Sequence, residues 1–418
     1  MKYARFVNTG ICDYLTKVRM VNIGDNIKSM SVNQLFDYAH IRSEDILEIS
    51  YYDQSSITEP CCLILNNHYR RNGSMNYMHN HNIRPLFIGW GLAQSDLLPE
   101  EVNYIKKYEP ILCRDEFTKE ILTKYQIEAY VIGCLSLTFD KREPMDQNAG
   151  KYYFVGVREK FLEDIPEFIR DNAVITTQHV NVDHIDEQVM REGEKDAKKL
   201  LAEYKQNAKM IISPLLHCIC PCIAMGIPVI AVNDNFSYKY SFLDAFIPSY
   251  NEETFTEYNW NESEKVVEME QIKKLILDAG SSILEGSPDY VSIKKLDKFY
   301  ADRRKWNYCS SMKVELRRIF KDESCPKFII WGASVGGNTV YCCIKELYPK
   351  SELTAIVDQY TEGIWAGKEI EKPEKVIREN PDVVVIVATL SGEKDAELLM
   401  SKMGRKKMKD YFIIHENR

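Results

Sequence analysis

The sequence predicts an α/β protein built as three layered units. Three observations carry this. Short apolar runs alternate with helical patterns along the whole of the 418 residues. A polar stretch, KREPMDQNAGK (141–151), separates two such series and reads as a linker. A third series opens near Lys327, where FIIWGASVGG (328–337) is a strand running into a glycine turn and then a helix.

In the first unit, VRMVN (18–22) is a strand that leads through Ile23-Gly24-Asp25 into a helix near 26–39. CCLILN (61–66) and PLFIGW (85–90) have the unbroken apolar character of buried parallel strands. PILCRD (110–115) ends a strand and enters the helix EFTKEILTKY, and EAYVIG (128–133) is a further strand. The second unit begins with YYFVGVR (152–158) and continues through AVITTQ (173–178) and a charged helix near 188–206. A strand at 210–212 then meets a helix from about Ile219, with Pro221 in its first turn and Gly226 just past its end, before a strand at 229–232. Segments 264–284 and 291–320 read as helices packing across the two units. In the third unit, 353–358, 382–389 and 410–414 are strands. Two units of similar size with a cleft between them make the expected architecture GT-B-like. It is a pair of Rossmann-like domains, 1–147 and 148–322, with an additional C-terminal Rossmann-like domain at 323–418.

Composition excludes several classes. Apolar residues make up 45% of the chain, enough for a full globular core. A net charge of −8 gives no general attraction to nucleic acid. No run of about 18 apolar residues is present, so no transmembrane segment is expected. The opening MKYARFVNTGICDYLTKVRM lacks the apolar stretch of a signal peptide. These features lead to the expectation of a cytoplasmic protein, with peripheral contact at the inner face of the membrane left open. The 12 cysteines fit a reducing compartment. The Cys61-Cys62 and Cys342-Cys343 pairs lie in apolar runs and read as core. His217, Cys218, Cys220 and Cys222 do not have the spacing of a zinc knuckle and read as small buried thiols beside a histidine. No metal and no cofactor are expected.

His217 is the sharpest single candidate. It lies where a strand ends and a helix begins, beside free backbone N–H groups and the positive end of a helix dipole. Phosphates and carboxylates bind at such places, and an imidazole can move a proton near neutral pH. The alternative is a histidine that only caps the helix or bonds a carbonyl.

The stretch Ser213 to Val229, SPLLHCICPCIAMGIPV, resembles the motif T-S-R-[LI]-H-C-A-x-P-C-x-A-M-G-x-P-V of polysaccharide pyruvyl transferases. Three further matches keep the family's order. Asn22-Ile23-Gly24-Asp25 resembles N-x-G-D, Pro110 to Thr118 resembles P-I-G-C-R-D-x-x-T, and Gly133 to Thr138 resembles G-C-L-T-L-T. The resemblance spans roughly residues 15–250 and has one departure: Leu215 stands where the family has an arginine.

The resemblance implies a transferase of exopolysaccharide or capsule biosynthesis. It moves pyruvate from phosphoenolpyruvate onto two hydroxyls of a sugar, or of a lipid-linked saccharide, as a ketal. Such a reaction needs cations for the donor, a proton for its methylene carbon and a base for a hydroxyl. By resemblance His217 is the acid or the phosphate donor group, and Arg114 is an anion clamp or else the ion-pair partner of Asp115 or Glu116. Asp25 caps its helix or serves as base, beside the cleft loop of Asn22 and Gly24. Arg158 and Lys239 are the cations placed to replace the missing arginine, and His179 is a weaker acid–base candidate. In the third unit, Gly332, Ser334 and Gly337 with Asp358 suit either a nucleotide or an empty module that docks a partner. Two rival functions stay open: a nucleotide-sugar-dependent glycosyltransferase, and a non-catalytic member that binds a sugar or partner. A homo-oligomer is also open.

Overall fold

A computed structural model describes residues 2–7, 11–12, 19–50, 57–69, 78, 80–144, 150–163, 165–184, 187–233, 236–260, 266–303, 309–321, 323–389 and 392–414. Both expected unit boundaries, 147/148 and 322, lie outside the described residues.

The first unit contains β1 (Lys2–Val7), β2 (Ile11–Cys12), β3 (Arg19–Asn22), α1 (Ile23–Tyr38), β4 (Ile46–Ser50), β5 (Cys61–Leu65), β6 (His68–Tyr69) and β7 (Ile83–Leu92). It continues with α2 (Pro99–Ile105), β8 (Ile111–Cys113), α3 (Glu116–Lys124) and β9 (Ala129–Val131). The second contains β10 (Lys151–Val155), α4 (Glu167–Arg170), β11 (Ala173–Thr176), β12 (His179–Asn181), α5 (Glu187–Asn207), β13 (Ala208–Ser213), α6 (Leu216–Ala224), β14 (Val229–Val232), β15 (Ser249–Tyr250) and α7 (Glu252–Phe255). Helices α8 (Glu270–Leu284), α9 (Tyr290–Ala301) and α10 (Ser310–Phe320) follow. The last unit holds β16 (Lys327–Trp331), α11 (Val335–Leu347), β17 (Glu352–Val357), β18 (Ile364–Trp365), β19 (Lys368–Glu371), α12 (Pro373–Glu379), β20 (Val384–Val387), α13 (Glu393–Lys402) and β21 (Tyr411–Ile413).

Each unit is wound around its own sheet. The first sheet runs β4-β1-β5-β7-β8-β9, with β6 beside β7, and its pairs are parallel. The second runs β11-β10-β13-β14-β15, also parallel. Both reverse direction between the first strand and the third in chain order, which opens a crevice at the carboxyl ends there. The third sheet runs β18-β19-β17-β16-β20-β21 and reverses between β16 and β20. Only the short β18 is antiparallel to its neighbour. The chain is thus an α/β protein of GT-B-like plan, a Rossmann-like pair with a third Rossmann-like unit.

The first two units share structure. β12 of the second pairs antiparallel with β3 of the first, placing His179 opposite Asn22. One apolar core runs through both, with Ile23, Ile27 and Leu35 of α1 packed among Ala197 and Tyr204 of α5 and Leu216 and Ile219 of α6. Buried Arg5 on β1 ion-pairs with Glu194 on α5 and with Glu48. Helices α8 and α9 return to the first unit. Asp297 binds Lys119 at 2.7 Å, and Tyr300 donates to the carbonyl of Ile132 at 3.3 Å. Apolar burial of this extent is the main stabilising term, at about 25 cal/mol per Å².

Two helix starts differ from the sequence expectation. Helix α6 begins at Leu216, not near Ile219, so Pro221 lies inside it. Proline there removes the N–H that would bond the carbonyl of His217. The helix persists because residues 218–224 are buried, and that packing outweighs one lost bond. Helix α1 begins at Ile23 directly after β3, so Gly24 and Asp25 lie in its first turn and do not form a connecting loop. The segment 291–320 is two helices, α9 and α10, with 304–308 between them outside the described residues.

Candidate functional site

The second sheet's reversal lies between β10 and β13, so Gly156 after β10 and Ser213-Pro214-Leu215 after β13 meet at the crevice. Ser213 is buried and donates to the carbonyl of Val155 at 2.8 Å, while its oxygen accepts the N–H of Leu215 at 3.0 Å. Gly156 has φ +67°, and a Cβ there would come within 2.9 Å of the Leu215 side chain. The residue at the arginine position is therefore folded down onto a glycine that only a bare backbone lets approach. Leu215 is also the N-cap residue of α6 and offers no side-chain cap; its carbonyl accepts from the N–H groups of Cys218 at 2.9 Å and Ile219 at 3.0 Å.

His217 is the second residue of α6. Its Nδ1 is buried and has no hydrogen-bond partner among the described residues. The imidazole sits against Cys134, whose side chain accepts the N–H of Ser136 at 3.4 Å. The Cys134 thiol is held well below the usual thiol range, first by a hydrogen bond from Cys220 and then by His217, against the cost of burial. Burial pushes Cys220 up. Thiol and imidazole therefore form one buried polar cluster at the base of α6.

The first unit reaches this place through α1. Asn22 is its N-cap and accepts from the N–H of Gly24 at 3.1 Å. This corrects the expectation that Asp25 caps the helix. Asn22 is one residue before the helix, where its side chain can reach back to a free N–H, and Asp25 is already in the first turn. Asp25 instead binds Lys28 at 2.9 Å and accepts from Asn22 Nδ2 at 3.0 Å. A Cβ on Gly24 would lie 2.8 Å from Gln178 Oε1, 3.1 Å from Asn22 Oδ1 and 3.4 Å from His217 Cβ. The glycine thus gives room for Gln178 and His217 to approach α1, a role of close packing and not of a turn.

The expected cations lie at different depths. Arg114 is 3% exposed and bonds Asp115 through Nε at 3.2 Å and Nη2 at 3.1 Å. Asp115 also caps α3, accepting from the N–H of Thr118 at 3.0 Å and its hydroxyl at 2.8 Å. Arg114 lies close enough to Cys220 to act on it electrostatically. Arg158 follows Gly156 and sits 6.0 Å over the ring of Phe161. Lys239 lies 5.1 Å over Tyr240, whose hydroxyl donates to the carbonyl of Pro214 at 2.8 Å. His179 is exposed on β12.

Gln178, which sequence reasoning did not single out, lies beside Gly24. It is 1% exposed, its Nε2 has no partner among the described residues, and its carbonyl accepts from Ile23 N at 2.8 Å. The only signal was its place at the end of the AVITTQ strand.

The C-terminal residues are bonded to their own backbone. Ser334 caps α11 by accepting from Gly337 N at 3.4 Å, and Gly332 holds φ +122° against Thr389. Gly337 packs on the carbonyl of Gly332 with no space for a side chain. Asp358 accepts from the N–H of Ala333 at 3.0 Å and from those of Tyr360 and Thr361 at 2.9 Å each.

No helix among the described residues is long and apolar enough to cross a membrane. No curated protein matches the chain. Among solved structures, it is similar to a Listeria monocytogenes protein described as a UDP-N-acetylglucosamine 2-epimerase, with 10% identity, a TM-score of 0.37 and coverage of 69% of this chain and 98% of that one. The S. aureus MnaA–UDP co-structure gives 10% identity and a TM-score of 0.37 over 68% and 97%. A Mn-bound periplasmic metal binding protein from Candidatus Liberibacter asiaticus gives 12% and 0.21 over 63% and 88%. At these scores none bears on this chain's ligand or reaction. Residues 68–235, which contain the Arg114 and His217 motifs but not Asn22 to Asp25, match the family described as polysaccharide pyruvyl transferase.

Proposed function

We propose that this chain transfers pyruvate from phosphoenolpyruvate to two hydroxyls of a sugar as a ketal. The setting is cell-surface polysaccharide biosynthesis, in the cytoplasm or at the inner face of the membrane. The observation that carries the reading is a meeting of two distant motifs. A Cβ on Gly24 would lie 3.4 Å from His217 Cβ, so the segment Asn22 to Asp25 adjoins the segment Ser213 to Val229, which supports reading the two as one site.

The chemistry follows from what each group offers. The donor's phosphate or carboxylate takes the uncapped start of α6, where N–H groups point outward. His217 delivers the proton that turns the donor's methylene into a methyl group, or steadies the departing phosphate. Asp25, held by Lys28 and Asn22, takes a proton from a sugar hydroxyl. Both hydroxyl oxygens bond to the donor's central carbon, and inorganic phosphate carries away the remaining proton. Arg158 and Lys239 supply the charge that Leu215 lacks.

One observation favours a second reading. Leu215 is packed on Gly156 at the crevice where the family's arginine stands. A chain that has given up the anionic donor would be a sugar-binding member without this reaction, or a transferase using a nucleotide sugar. Incubation with phosphoenolpyruvate and simple pyranosides separates the readings. Phosphate release together with a pyruvyl-ketal product by mass spectrometry supports transfer. Calorimetric binding of UDP, with no binding of phosphoenolpyruvate, moves the nucleotide-sugar reading to first place.

A further inference from the structure

We propose that the turn from α13 to β21 is a docking surface for an anionic lipid bilayer, with Met408 and Leu398 among the acyl chains and the lysines around them on headgroup phosphates. The inference rests on the reading above only in setting the chain at a membrane.

The turn holds an apolar side chain out in water. Met408 is 67% exposed, the most exposed large apolar residue among those described, and its φ is +62°. A residue with a Cβ takes that conformation where its surroundings fix it. Arg405 reaches inward and donates to the carbonyls of Pro381, of Val383 at 2.6 Å and of Asp410 at 3.3 Å. The N–H of Lys406 donates to the Asp410 carboxylate at 2.7 Å, and that of Met408 to the carbonyl of Tyr411 at 2.9 Å. Lys407 ties the turn to α13 through Glu397 at 2.6 Å. That pair sets the segment of Met408 beside the segment of Leu398, which is 57% exposed on the helix.

Positive charge gathers at the same corner. Lys394 and Lys402 share the helix face of Leu398 at intervals of four, and Lys406 and Lys409 flank Met408. All four are exposed and have no ion pair among the described residues. From Lys402 to Lys409 the chain carries five cations and no acid. The nearby acids are engaged within the fold. Asp395 accepts from the Tyr360 hydroxyl at 2.8 Å, Glu397 bonds Lys407, Glu393 acts on Lys407 electrostatically, and Asp410 holds the N–H of Lys406.

The combination of apolar tip and cations selects the partner. A nucleic acid would answer only the charge, and the chain as a whole carries −8. An anionic leaflet answers both. It attracts each nearby lysine over about a Debye length, within which the chain's distant acids are screened. Met408 and Leu398 leave water at the acyl boundary, while the lysine stems lie along it with their ammonium groups among the headgroups. Each contribution is small alone, and together they give reversible attachment.

The test is co-sedimentation of the full chain with phosphatidylcholine vesicles, with and without about one-third phosphatidylglycerol, in the absence of phosphoenolpyruvate and sugar. Wild type should bind the anionic vesicles and not the neutral ones, and raised salt should release it. Lys402→Gln, Lys406→Gln and Lys409→Gln combined should weaken binding by about tenfold or more. Met408→Ser leaves the charge unchanged and should weaken binding several-fold. These side chains are exposed, so the melting temperatures should stay in place. No binding of wild type to anionic vesicles, or binding indifferent to the lysine replacements or to Met408→Ser, overturns the proposal. Lysine-dependent capture of a single-stranded RNA probe with no vesicle binding overturns it as well. Vesicle binding through these residues without turnover of phosphoenolpyruvate sinks the reaction but keeps the surface. Turnover without vesicle binding does the reverse.

Discussion

The chain contains one construction twice: a strand, a turn and a helix start at the point where a parallel sheet reverses. In the C-terminal unit the turn is closed. Ser334 caps α11, Gly337 packs on Gly332, and the Asp358 carboxylate accepts three backbone N–H groups. In the second unit the turn is open. Leu215 caps nothing, and His217 Nδ1 and Gln178 Nε2 stay unmatched at the joint with α1. The difference teaches where to look for chemistry. In the C-terminal unit the turn residues themselves are matched within the fold and the acid holds a loop, with Asn338 Oδ1 in the first turn of α11 left buried without a partner among the described residues. A turn that buries polar groups without partners gives up stability, as functional sites often do.

The largest expected effect tests the open side. His217→Ala should lower turnover by about a hundredfold or more while the melting curve stays in place, because a general acid is lost and no packing layer with it. Product formation by mass spectrometry beside a melt measures both. Wild-type activity in the variant would make this turn structural as well and erase the contrast.

Next comes the anionic donor. Arg158→Ala should weaken phosphoenolpyruvate binding by roughly a hundredfold or more, since breaking a desolvated charge pair costs about 3–5 kcal/mol. Leu215→Arg should strengthen it if the crevice accepts the longer chain over Gly156. Calorimetry on the three proteins decides between outcomes. Binding only in Leu215→Arg would mean the donor site has been given up, and binding in none would remove pyruvyl transfer from consideration.

The smallest effects belong to the closed side and should appear as stability alone. Asp358→Ala leaves backbone N–H groups without their acceptor and should cost about 1–3 kcal/mol. Ser334→Ala removes a helix cap and should cost about 1 kcal/mol. Denaturant titration reads both, and ligand binding at the His217 cleft should not move. A change in turnover, or in affinity for an added dinucleotide, would show the closed turn to be a working site.

Much of this was legible beforehand. The strands at 61–66, 85–90 and 229–232 stand where their apolar runs put them, because a strand buried on both faces cannot be polar. His217 was legible from its place between a strand and a helix. The start of α6 was not, since Pro221 read as a first-turn residue and its burial decided otherwise. The cap on α1 was misread because Asn22 and Asp25 are both good caps, and only the backbone shows which one precedes the helix.

The sequence by itself determined the α/β alternation, the glycine turn of the last unit and the spaced motifs, because these depend on neighbours along the chain. Tertiary structure alone decided which polar groups are matched. Gln178 belongs to no motif, and only folding sets it beside Gly24. Leu215 looked like a simple loss of charge until Gly156 was found beneath it. Arg114 read equally as an anion clamp or as the partner of Asp115 or Glu116, and the fold shows it bonded to Asp115. Periodicity and capping are local and can be read in order, whereas a hydrogen bond across two units depends on where folding brings the distant strands.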